Sequence, residues 1–129
     1  MKIECVAITH SGLARRNNED CILCDGWMRS RPMARPTQLP FEHGEKRRRL
    51  FAVADGLGGH SSGELASQLA LARLSSLIAE AREVSEQSIC TALKELHREL
   101  YLVSKADSAF QEMGSSLAGL VFDEVGCVH

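Results

Sequence analysis

An acid at the end of an apolar run is well placed to do chemistry, and Asp55 is such a residue. It follows Phe51-Ala-Val-Ala54, which reads as an interior strand, and precedes Gly-Leu-Gly-Gly-His60. The glycines leave room for a ligand to approach the backbone, or let the chain take positive φ. A second segment, Gly12-Leu-Ala-Arg-Arg-Asn-Asn-Glu-Asp20, sets Arg15 ahead of Asp20 between two apolar stretches. A guanidinium is a fixed fork of donors suited to phosphate oxygens, whereas a carboxylate at a strand entrance suits a hard divalent cation. A third segment, Met113-Gly-Ser-Ser-Leu-Ala-Gly-Leu-Val-Phe122, is a small-residue turn leading into another apolar strand. Any one of these alone fits an ordinary turn. Their order along one chain carries more.

The elements that must position these residues read as α+β. Residues 2–9 and 20–24 have strand character, and the segment Gly12 to Asn18 is the turn that carries Arg15. Residues 25–49 break the pattern: Pro32, Pro36 and Pro40 fall here, with Arg29, Arg31, Arg35 and Lys46-Arg-Arg-Arg49 against only Asp25, Glu42 and Glu45. This is expected to be a long basic loop, solvated or acting as a flap over a substrate. Trp27 and Phe41 are too few aromatics for a base-stacking surface. Ser61-Ser-Gly-Glu64 has capping-box spacing, so a helix should begin beside Asp55 and pack Ala66, Leu69, Ala70, Leu74, Leu77 and Ile78 on a sheet. Val84 and Ile89 flank Ser85 at the start of a second helix, continuing through Leu93, Leu96, Leu100 and Val103. Lys94, Glu95, Arg98 and Glu99 form its wet face, and His97 and Tyr101 read as surface residues. Cys21 and Cys24 lie on one strand at a spacing that points them to opposite faces, which reads as two core thiols rather than a zinc or redox pair.

Taken together, the three segments resemble the bacterial metal-dependent protein serine/threonine phosphatases of type 2C. The family pattern is matched by Gly12, Arg15, Asn18, Glu19 and Asp20; by Val53 to His60 with Gly63, Glu64, Ala66 and Ser67; and by Met113 to Ser116. The resemblance implies a four-layer αββα sandwich with central antiparallel sheets. It also implies two Mn²⁺ or Mg²⁺ ions and hydrolysis of phosphoserine or phosphothreonine by a water that bridges them. Asp55 would bridge both ions, the Gly56 carbonyl would bind one, and Asp20 would hold the second. Arg15 would bind the phosphoryl oxygens. His60 stands where bacterial members carry it, and two roles remain open for it: protonating the leaving group, or a hydrogen bond within the turn. Leu57 occupies the place of the histidine that directly follows Asp-Gly in animal members.

The resemblance covers residues 1–129 as the N-terminal portion of the catalytic domain. Two later family motifs that add metal-binding aspartates have no counterpart here, so these residues alone are expected to be inactive. They are also expected to expose sheet edges and apolar faces that favour a homodimer. With 44% apolar residues, 25% charged and a net charge of −2, the chain is neither disordered nor strongly polyanion-seeking. No stretch approaches a membrane span and no leader is visible, while five cysteines without a framework fit a reducing, cytoplasmic setting. The expected partners are a phosphoprotein substrate and an opposing kinase. A catalytically inactive relative serving as a regulatory or binding module is the alternative.

Overall fold

The computed structural model describes residues 3–41, 48–58, 61–123, 125 and 128–129. Its elements run β1 (Ile3–Ala7), β2 (Asp20–Cys24), β3 (Trp27–Arg29), β4 (Thr37–Phe41), β5 (Arg49–Leu57), α1 (Ser61–Glu80), α2 (Glu86–Ala106), a short 3₁₀ turn at Ser108–Phe110 and β6 (Gly114–Phe122). The strands form a four-stranded antiparallel sheet in the order β3-β2-β5-β6, and a two-stranded ribbon of β1 and β4. Two helices cover one face of the sheet, and the ribbon lies against part of the other. The class is α+β, as the sequence predicts.

Side-chain alternation along β5 assigns each face. Leu50, Ala52, Ala54 and Gly56 are buried towards the helices, while Val53, Asp55 and Leu57 are exposed on the other side. The helix-side core joins Cys21, Leu23, Ala52 and Ala54 to Ala70, Leu71, Leu74 and Ile78 of α1 and to Ala92 and Leu96 of α2. Burying each of the larger aliphatic side chains contributes about 1.5–3 kcal/mol. The buried stripe of α1 is centred slightly off the predicted one, with Leu71 and Ser67 fully enclosed. α2 continues through Leu93, Leu96, Leu100 and Val103 as expected, with Ala92 and Leu96 facing inward and Leu93 exposed. His97 and Tyr101 are on the surface as expected. Ser85 caps α2, its hydroxyl accepting from the Ser88 N–H while Ser88 Oγ accepts from the Ser85 N–H. The box proposed at Ser61 rests on a side chain outside the described set.

The expected loop at 25–49 is corrected: it holds two strands. Asp25 and Gly26 both have positive φ and form the two-residue turn joining β2 to β3. β4 pairs with β1 despite Pro40, which a strand of a two-stranded ribbon tolerates because only one side is hydrogen-bonded. Two of the basic residues in this segment, Arg48 and Arg49, are engaged, while Arg29, Arg31 and Arg35 are exposed. Arg48 donates to the carbonyls of Ile78, Ala81 and Arg82 at the end of α1, and Arg49 pairs with Asp25 and lies over the Phe41 ring. Phe51 centres the ribbon-side cluster, with edge-on contacts to Phe41 and Phe122.

Candidate active site

The register of β2 against β5 sets Asp20 directly opposite Asp55. These residues are far apart in sequence, and both face away from the helices. They line an open cleft of about 710 Å³ together with Ile8, Thr9, His10, Val53 and Ser116. β5 does not stop at the acid: it continues to Leu57, so Asp55 is paired on its other side with Ser116 of β6. Gly114 to Ser116 is therefore strand rather than the expected turn. Its small residues keep the ground beside Asp55 low, and Ser115 Oγ donates to the Asp55 carbonyl at 3.0 Å.

The chain entering β2 is held by a buried amide. Asn18 Nδ2 donates to Thr9 Oγ1 at 2.8 Å and to the Ser30 carbonyl at 2.6 Å, with a longer contact to the Asp20 carbonyl. Ser67 of α1 donates to the Glu19 carbonyl at 2.6 Å, and the Gly56 N–H reaches the same oxygen at 3.2 Å. Two elements, α1 and β5, thus converge on the backbone beside Asp20. The Glu19 carboxylate accepts from Asn17 and packs on Gly63, as befits a structural acid.

Burial pushes the Asp20 carboxyl above its usual 3.8, and the facing charge of Asp55 adds to this; the Arg15 guanidinium pulls the other way and Glu19 raises it further. Two carboxylates facing each other at a partly desolvated site suit a divalent cation, which removes their repulsion on binding. These two carboxylates thus fit a metal of the kind the family resemblance implies. Because the folded-state pKa is raised, ionised Asp20 costs stability: the cost is absent below 3.8, grows through the raised value and is complete at neutral pH. Asp20→Asn should accordingly raise the metal-free Tm at neutral pH by about 1–3 °C, a gain that shrinks as pH is lowered. A melting series across pH checks this, and a lowered Tm at neutral pH contradicts it.

Arg15 is exposed on the turn that starts at Gly12, near enough to Asp20 to lower its pKa but outside the cleft wall itself. The Gly56 carbonyl faces the first turn of α1, beside Gly63, and does not line the cleft either. His60 falls outside the described residues, and Leu57 is exposed. Among the described residues no group of three or more His, Cys, Asp and Glu side chains is gathered for a metal. His10 is a cleft residue that sequence reasoning missed. Its Nδ1 accepts the Gly12 N–H at 2.9 Å, tying it to the Arg15 turn, and its nearness to Gly12 in sequence was the only available signal.

Residues 39–129 match the family model of protein phosphatase 2C. The chain belongs to this family. Over 66 residues, 51% of the chain, it is 38% identical to the serine/threonine protein phosphatase PstP of Mycobacterium tuberculosis strain H37Rv, of which that match covers 9%. The crystal structure of the Mycobacterium tuberculosis phosphatase PstP/Ppp aligns with a TM-score of 0.63 at 25% identity, over 95% of this chain and 43% of that one. A structure of the PstP catalytic domain in complex with 2 manganese ions aligns equally well, over 94% of this chain and 43% of that one. The serine/threonine phosphatase of Staphylococcus aureus shares the fold, with a TM-score of 0.66 at 18% identity over 94% of this chain and 42% of that one. The chain thus spans less than half the length of each of these structures.

Proposed function

We propose that this chain supplies the first half of a metal-dependent phosphatase site acting on phosphoserine and phosphothreonine in proteins. The observation that carries the reading is the pairing of Asp20 with Asp55 across β2 and β5 at an open cleft, with the charge of Arg15 beside them. Asp55 and Asp20 are the groups the cleft offers to Mn²⁺ or Mg²⁺, and the Gly56 carbonyl, which faces α1, is added by the family resemblance alone; bound there, the ions would lower the pKa of water and neutralise phosphoryl charge. The reaction is displacement at phosphorus by water, with the serine or threonine oxygen leaving. Arg15 holds the phosphoryl oxygens, and its exposed turn lets the guanidinium swing to a phosphate on a protein surface.

Phosphate release from a phosphopeptide by the full-length protein, measured with and without Mn²⁺, tests the reading. Arg15→Ala should lower kcat/KM by about 10- to 1000-fold, the worth of a charge-assisted fork, with Mn²⁺ affinity nearly unchanged. Arg16→Ala should be nearly silent. Equal losses at both positions would instead indicate general electrostatic attraction.

The second reading is an inactive module that keeps the fold: among the described residues no group of three or more His, Cys, Asp and Glu side chains gathers for a metal, and two facing carboxylates leave most of an octahedral shell to water. Residues 1–129 alone are therefore assigned little turnover. Mn²⁺ titration with p-nitrophenyl phosphate as substrate separates the readings, because an inactive module gives no turnover in the full-length protein either. The proposed partners are a phosphoprotein and an opposing kinase in the cytoplasm. Val6, Ile8, Val53 and Leu120, all more than half exposed on the ribbon side, are the apolar surface through which copies of this chain would associate.

A further inference from the structure

Cys5 and Cys24 take no part in the proposed chemistry. They belong to different sheets, Cys5 on β1 and Cys24 at the end of β2, yet their Sγ atoms lie 3.4 Å apart. Both face an open apolar cleft of about 500 Å³, with Val6, Ile22, Phe51 and Ala118 in its walls. Cys5 is only partly buried, so a small uncharged oxidant can reach its sulphur from solvent, while Cys24 is buried behind it. Sulphurs at this separation need to close by only about 1.4 Å to reach bonding distance. The ribbon meets β2 through a small cluster that includes both cysteines.

We propose that Cys5 and Cys24 are an oxidisable pair that hydrogen peroxide converts to a disulfide, joining the β1–β4 ribbon to the four-stranded sheet. The inference does not depend on the phosphatase reading. The Cys5 thiolate attacks one peroxide oxygen, giving a sulfenic acid and hydroxide. The Cys24 sulphur then attacks the Cys5 sulphur: the S–S bond forms, the S–O bond breaks, and the leaving hydroxyl departs as water with the thiol proton. In sum, two thiols and one peroxide give a disulfide and two waters. The order follows from the environment. Burial, with the Cys5 thiol as a lesser cause, pushes Cys24 up to about 12, so it remains a thiol at neutral pH, and the half-buried Cys5 reacts first. Cys21 points to the helix-side core on the opposite face and is out of reach, and Cys90 is exposed on α2.

The test treats the 129-residue chain with stoichiometric hydrogen peroxide at neutral pH and maps its tryptic peptides without reduction. The expected product has lost two hydrogen masses and links peptide 3–15 to peptide 17–29, with fragment ions placing the bond at Cys24 rather than Cys21. The oxidised chain should melt about 5–10 °C higher, because the bond closes a loop, and dithiothreitol should reverse both changes. Cys5→Ser should show neither. Oxidation confined to Cys90, a bond to Cys21, or an unlinked pair after prolonged treatment would overturn the proposal. The mapping needs only the unaltered chain, so it decides even if the variant does not fold.

Discussion

Asp55→Asn is expected to lower phosphopeptide turnover of the full-length protein by about 1000-fold or more, because one exchange weakens every cation contact assigned to that carboxylate. The amide has the same shape and the side chain is exposed, so the β2–β5 and β5–β6 pairings should survive. Thermal melting should stay within a few degrees of the parent while calorimetric titration with Mn²⁺ loses its signal. Asp20→Asn should chiefly weaken the second site and be partly rescued by excess metal. Near-parental turnover of Asp55→Asn at saturating Mn²⁺ would remove the basis of the functional reading.

Gly56→Ala should cost about 3 kcal/mol or more and lower Tm by about 10 °C or more. A Cβ on Gly56 overlaps the Gly63 carbonyl, which is backbone in the first turn of α1, and it also approaches the Glu19 carbonyl at 3.0 Å. None of these groups is a flexible side-chain end. Relief would require moving the first turn of α1 away from β5. Gly114→Ala is the control, because a Cβ there meets nothing within 4 Å. Should the two variants melt alike, the close approach of β5 to α1 would be wrong.

Much of this arrangement is legible in the sequence, and the misses have physical causes. Both helices, β2 and the strand carrying Asp55 follow from apolar periodicity and, for α2, the Ser85 cap, all local signals, although β5 runs past the acid to Leu57. The strands inside residues 25–49 were hidden by prolines and charge, although Asp25-Gly26 between Cys24 and Trp27 is a strong short hairpin signal. Ala92 and Leu96, rather than Leu93, form the inward edge of α2, a choice made by the packing and not visible in apolar spacing alone. The facing of Asp20 and Asp55 and the place of His10 are tertiary facts. Register between distant strands leaves no mark in either strand alone.

That same register acts as a check on assembly. Asp55 sits between Ala54 and Gly56, both buried against α1, and Asp20 precedes the fully buried Cys21. A shift of one place along either strand would drive a carboxylate under the helix and bring a core residue out to water. A mispaired chain would thus be penalised by desolvation at the very residues it misplaces. The groups assigned to cation binding double as guards against a wrong fold, and a chain that has brought its two aspartates face to face has already paired its central strands correctly.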